Sequence, residues 1–208
     1  MQQRNTVLSA LLILTMAASA TFAGEGLSRQ DRSELIGRLE QTQQELASSV
    51  AGLSAAQWTF RAADDKWTIA QVVEHLVLSE GQIRGRVEEL VSGEVAAPRP
   101  AARTEEVEGA ILRFVRDRSQ QFNAPSPIQP AGRFETAAAG LDAFRAERAI
   151  SVDYVRTTDV DLRAYRSAFP PADLELDGAQ WLLFMCGHVQ RHLDQIEEVK
   201  RSPGYPAS

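Results

Sequence analysis

Residues 186–200 read CGHVQRHLDQIEEVK and hold His188 and His192, two of the three histidines in a chain of 208 residues. On an α-helix, positions i and i+4 lie one turn apart on the same face. Trp181, Phe184, Met185, His188, His192, Gln195, Ile196 and Val199 keep helical spacing. The pattern therefore predicts a helix from Asp177 to about Lys200 with both imidazoles on its core-facing stripe. Asp177 followed by Gln180 has the form of a capping box that opens it. A stripe of this kind must be covered by other helices, so it decides the fold class.

Working outward, residues 28–52 place Leu35, Leu39, Leu46 and Val50 at spacings of three and four, with Ile36 beside them and Gly52 set to close the helix. Residues 68–92 give a second helix, opened by Thr68 as N-cap, with Ile69, Val72, Val73, Leu76, Ile83, Val87 and Leu90 as its apolar stripe. The connector LSAAQWTFRAADDKW between them is expected to be pinned to the bundle by Trp58 and Trp67. After the break SGEVAAPRPAAR comes a short helix over 104–121, and NAPSPIQPAG, with three prolines, reads as a non-helical loop. A third long helix covers 134–157, with Leu141, Phe144, Ile150 and Tyr154 among its apolar positions. FPP at 169–171 marks another break, strands are almost absent, and SPGYPAS is expected to be a loose tail over 202–208. Four long helices without an internal repeat predict an all-α four-helix bundle with a short extra helix in the connection between helices two and three.

Hydrophobic residues make up 44% and charged residues 24%, as in ordinary globular proteins, and the formal charge is −6. That balance, with no basic run, excludes a nucleic-acid partner or an anionic membrane surface, because phosphate binding rests on clustered Lys and Arg. MQQRNT carries Arg4 and no acid, VLSALLILTMAA is a short apolar run, and SATFAGEG is small and polar. This is the plan of a secretory signal peptide over residues 1–23, with Ala23 the preferred cleavage point and Ala20 the other. An uncleaved N-terminal anchor is the alternative, although the run is shorter than a bilayer span. The mature domain, 24–201, is thus expected to be exported, periplasmic or secreted, with no stable membrane anchor after cleavage. Cys186 is the single cysteine and cannot form an internal disulfide. It lies about 200° around the helix from His188, which makes it a small buried thiol and not a fellow ligand.

The third histidine, His75, stands in WTIAQVVEHLVLSE, beside Val72, Leu76 and Ser79 on the second helix. If that helix neighbours the last one, His75, His188 and His192 form a three-nitrogen face for one divalent metal ion. Three protein ligands leave a coordination position for water or substrate, as catalytic zinc sites do. The bland alternative is three separately hydrogen-bonded interior histidines. Burying three imidazoles together without a ligand is unfavourable, which favours the metal. Gln195, one turn past His192, can line a pocket, and Arg191 can position an anionic substrate. Glu74, about 100° around the helix from His75, reads as a surface or supporting group. For all three, an ordinary solvated or packing side chain is the competing reading. Neutral imidazole is the ligand form, so metal affinity is expected to fall as pH drops through about 6.5. No Ser-His-Asp order, Gly-rich phosphate loop or carboxylate-rich second cluster is present, and no catalytic residue can be assigned.

LSAAQWTFRAADDKWTIAQVVEHLVLSE, with Trp67, the Thr-Ile helix start and His75, and GHVQRHLDQIEEVK, with His188 and His192, resemble the DinB-like superfamily over about residues 28–200. That superfamily includes bacillithiol transferases and mycothiol-dependent maleylpyruvate isomerase. The resemblance implies a bundle in up-down-down-up order with zinc or nickel held by the three histidines. It also implies, for members acting on thiols, a metal that binds and activates a low-molecular-weight thiolate. Export sets this chain apart from those members, whose thiol cofactors are cytoplasmic. The readings that remain are a metal-dependent hydrolase or thiol transferase, a non-catalytic extracytoplasmic metal- or ligand-binding bundle, and a structural bundle. The substrate would be a small molecule that the sequence does not name, and the bundle can act as a monomer or a homodimer.

Overall fold

Each long helix begins where a side chain takes up a backbone N–H that the helix itself leaves unpaired. Ser28 caps α1 (Arg29–Val50), Thr68 caps α3 (Ile69–Leu90), Thr136 caps α5 (Ala137–Thr157) and Asp177 caps α6 (Gly178–Lys200). Full capping boxes form at Thr68 with Gln71 and at Asp177 with Gln180. A third, Ser54 with Gln57, opens the short α2 (Ala55–Thr59) inside the connector. The computed structural model describes residues 26–119 and 122–207. The signal segment expected over 1–23 lies outside the described residues.

Contacts between helix ends set the directions. Arg32 at the start of α1 donates to the carbonyls of Val155, Arg156 and Thr158 at the end of α5, so those helices are antiparallel. Lys200 Nζ donates to Ser49 O at 2.7 Å, which joins the C-terminal ends of α1 and α6 and makes them parallel. Gly140 lies against Val73, and about two turns further along both helices Glu80 meets Arg148, so α3 and α5 are parallel. His75 lies beside His188 while Arg86 lies over the Trp181 ring, so α3 and α6 are antiparallel. The directions of α1, α3, α5 and α6 are therefore up, down, down and up. Two parallel helices in succession need a connection as long as the bundle. Residues 91–136 supply it, with α4 (Ala101–Arg116) packed on the outside of α6.

The core falls into two apolar layers. Leu35, Leu39, Ile83, Val87, Val152, Val155, Leu182 and Cys186 fill one, and Leu46, Trp58, Ile69, Val72, Val73, Phe144, Val189 and Ile196 fill the other. Between them lies a buried polar layer of Thr42, Glu80, Arg148 and Ser151. Arg148, with no exposed surface, pairs with Glu80 and donates to Leu39 O and Thr42 Oγ1, both at 2.8 Å.

Several sequence expectations need correction. The extra helix spans 101–116, not 104–121, because Pro100 is harmless at a helix start, where its missing N–H has no partner to lose. α5 begins at Ala137, since Thr136 caps it and the Phe134 carbonyl accepts from Trp58 Nε1 at 3.0 Å. Ile150, read as apolar stripe, is 50% exposed, and the buried face of α5 instead carries Arg148 and Ser151. The proline loop is not wholly irregular, because Ser126–Ile128 forms one 3₁₀ turn with Pro in its first turn. A hairpin also escaped the reading. β1 (Arg166–Phe169) and β2 (Leu174–Asp177) pair antiparallel around the Pro170–Ala172 turn, with Asp173 at φ 51°. Phe169 and Leu176 pack with Val107, Ile111 and Val115 of α4 into a third, smaller core. The C-terminal segment is not loose. Tyr205 packs edge-on to Phe60 at 5.4 Å, and Gln57 Nε2 donates to Pro206 O at 3.1 Å. Among the described residues no helix is long and apolar enough to cross a membrane.

Candidate metal centre

The antiparallel packing of α3 on α6 brings His75 to the His188–His192 pair. Nε2 of His188 stands 3.3 Å from Nε2 of His75 and 3.1 Å from Nε2 of His192. The three donor atoms all lie within 4.8 Å of one another. Two nitrogens bound to one zinc at about 2.05 Å and tetrahedral angles would be about 3.3 Å apart. The spacing of the His188 pairs therefore fits a shared divalent ion without rearrangement of the helices.

Two of the rings have fixed tautomers. His75 Nδ1 donates to the Ile128 carbonyl at 2.9 Å, and His192 Nδ1 donates to Gln195 Oε1 at 2.8 Å. Each proton sits on the far nitrogen, so each Nε2 turns a lone pair toward the centre, the arrangement that an acceptor on the outer nitrogen imposes on metal-ligating histidines. Trp67 packs on both rings, with centroids 5.0 Å from His75 and 6.4 Å from His192. His75 and His192 are buried, and His188 is half-buried.

Burial holds all three imidazoles neutral. It lowers His75 below the usual histidine range and drives His188 well below it, with His192 and His75 adding repulsion. His192 falls to about 3, first from burial and then from its neighbour His75. Neutral imidazole is the form that binds a metal. The expectation that protons compete near pH 6.5 is therefore corrected, and competition moves to more acidic solution.

The supporting residues divide. Gln195 reaches the cluster through His192, as its spacing suggested. Arg191 keeps its charge close enough to act on His188 and His192. It donates to the Val115 carbonyl at 3.1 Å and stacks over Phe122, tying the end of α4 to α6. Glu74 is buried and accepts from the N–H groups of Ala131, Gly132 and Arg133 at 2.7–3.0 Å. It therefore fastens the loop that carries Ile128, whose carbonyl orients His75. Neither the Ile128 carbonyl nor this use of Glu74 left a signal in the sequence, because backbone acceptors have no residue type. Cys186 is buried as expected, with its thiol pushed up to about 11 by burial. An open pocket of about 290 Å³, lined by Trp67, Gln71, Asn123, Ala124, Gln129 and Pro130, shares its tryptophan wall with the histidines.

A bundle with three convergent histidines, one on the second long helix and two on the last, is the class that fold and site define. The profile of the DinB superfamily matches residues 38–196, and the chain belongs to that superfamily. The uncharacterized protein YuaE of Bacillus subtilis (strain 168) is 26% identical over 156 residues, covering 74% of this chain and 89% of YuaE. YfiT of Bacillus subtilis, described as a probable metal-dependent hydrolase with an unusual four-helix bundle topology, shares the fold. Its TM-score is 0.55 at 19% identity, over 88% of this chain and 93% of YfiT.

Proposed function

We propose that the protein is a metal-dependent enzyme of the hydrolase type, acting outside the cytoplasm on a small molecule, with one zinc or nickel ion held by His75, His188 and His192. The observation that carries this is the convergence of three neutral Nε2 donors at 3.1–3.3 Å spacing around His188, two of them with tautomers fixed by Ile128 and Gln195. Three imidazoles suit either metal. A divalent ion there would supply Lewis acidity, polarising a carbonyl or acidifying water or a thiol at its open coordination position. The chain's own part is to hold the rings in place, to keep them unprotonated, and to limit water on the Trp67 side. The hydrolase class is taken from the description of YfiT, and a thiol transferase would use the same donor set.

A non-catalytic metal-binding role has one observation in its favour. Glu74, the carboxylate adjoining His75, is spent on three backbone N–H groups and is not available as a general base. One experiment separates the readings. Elemental analysis of protein purified from its own host, without added metal, should give one divalent ion per chain. Chelation should then abolish turnover on a panel of esters, amides and thiols while the far-UV helical signal persists, because the apolar layers do not depend on the ion. A folded, metal-loaded protein inert on the whole panel would favour the binding role, and an apo-protein that unfolds would make the ion structural. Export rests on the Arg4, apolar and small-residue plan of the N-terminus. Mass spectrometry of the native protein should find a first residue near Gly24, and an intact Met1 in the cytosol would end that part of the proposal.

A further inference from the structure

Ser79 lies one turn after His75 on α3 and is 3% exposed, yet neither the ligand set nor the ring-orienting hydrogen bonds use it. Its Oγ donates to the His75 carbonyl at 2.7 Å, which commits the hydroxyl proton to the helix backbone. The same Oγ is 3.5 Å from His75 Nε2, the atom that faces the other two histidines. A hydroxyl offers one donor and two acceptor lone pairs. With the proton spent, what Ser79 presents toward the centre is acceptor capacity alone.

We infer that Ser79 is a positioning residue of the metal site, whose Oγ accepts a hydrogen bond from the protic molecule, water at rest, that completes the coordination of an ion held by His75, His188 and His192. This rests on the metal reading above and deepens it. An acceptor at that point would turn one O–H of the molecule toward Ser79. It also disfavours any ligand without a proton to donate. An anion such as azide would have to displace a hydrogen-bonded molecule and would meet the lone pairs of Ser79 instead. Ser79 therefore selects for neutral protic ligands at the fourth position without itself binding the ion.

Cobalt(II) is the probe, because its visible bands report coordination whether or not a substrate is known. The wild type, Ser79→Ala and Ser79→Thr should each bind one cobalt ion with similar affinity. Ser79→Ala should shift the visible bands and tighten azide binding about three- to tenfold, the effect of losing one hydrogen bond to the displaced molecule. Ser79→Thr, which keeps the hydroxyl, should restore both readouts toward wild type. Identical bands and azide affinity in wild type and Ser79→Ala would overturn the inference while leaving the metal site standing. Loss of cobalt binding in Ser79→Ala alone would overturn it too, by making Ser79 a mere support for His75. A wild-type protein that takes up no cobalt would bring down the metal reading itself, and this inference with it.

Discussion

The bundle buries two polar clusters, and they are built on opposite plans. At mid-height, Arg148 spends its donors on Glu80, Thr42 and the Leu39 carbonyl, and Ser151 adds a bond to Glu80 at 3.1 Å. Donors meet acceptors, so the layer is closed. Burial alone pushes the Glu80 carboxyl up, and the Arg148 guanidinium opposes that shift. Nearer the other end, three imidazole Nε2 atoms converge, and His75 and His192, whose protons are directed outward to Ile128 and Gln195, both turn lone pairs to the centre. The first cluster is complete within the protein. The second keeps lone pairs for the proposed cation, and that is the contrast between the two clusters.

The largest effect should come from breaking the closed layer. Arg148→Ala strands the Glu80 carboxylate in the core and should cost about 3–5 kcal/mol in denaturant unfolding. The pair Glu80→Leu with Arg148→Met should recover most of that and leave metal binding in place. If Arg148→Ala unfolds like wild type, the layer is not the structural element described.

In the open cluster the response should invert. His192→Ala should lower metal affinity by more than about 100-fold, beyond the loss usual for supporting residues, while changing the stability of the metal-free protein little. Cys186→Ser should leave the affinity nearly unchanged. Titration calorimetry showing equal affinity in His192→Ala would dissolve the contrast between the two clusters.

Smaller again is the effect of the orienting amide. Gln195→Ala should weaken metal binding about tenfold by freeing the His192 ring, with no loss of helix content. An unchanged affinity would mean that packing against Trp67 orients that ring.

Acid should distinguish the clusters more gently. The metal-free protein keeps its histidines neutral, with His192 down to about 3, at pH values where the unfolded chain protonates them near 6.5. The unfolded state then binds more protons, so stability is fully present above pH 6.5 and is lost as pH falls from there toward 3. The slope should be up to about 1.4 kcal/mol per pH unit for each titrating histidine, and saturating metal should flatten it. Thermal melts of metal-free protein that are level between pH 7 and 5 would show that the rings are not held neutral.

Much of this was legible in the chain because helices and caps are local. Thr68 and Asp177 announced two helix starts, and the apolar spacings of α1 and α3 announced two of the four buried faces, whereas the stripe read for α6 took in the half-buried Trp181 and Phe184 and left out the buried Leu182 and Val189. In α5 the reading went astray at Ile150, because the core-facing position nearby belongs to Arg148, and a charge in a buried stripe hides its phase. The hairpin was missed for a related reason. Its four-residue strands are held by α4, far away in sequence, and not by strand patterning of their own.

His188 and His192 were placed on one face by the sequence alone, since a spacing of four on a helix admits little else, and His75 was the only partner left to them. Which nitrogen of His75 faces inward, and which group holds it there, came from an element that only packing brings to it. The Ile128 carbonyl arrives on a loop 53 residues beyond His75, and that loop is fastened by Glu74 through backbone N–H groups. Side-chain spacing is written into a helix, but the carbonyls and lone pairs that finish a metal site take their positions only when the helices pack.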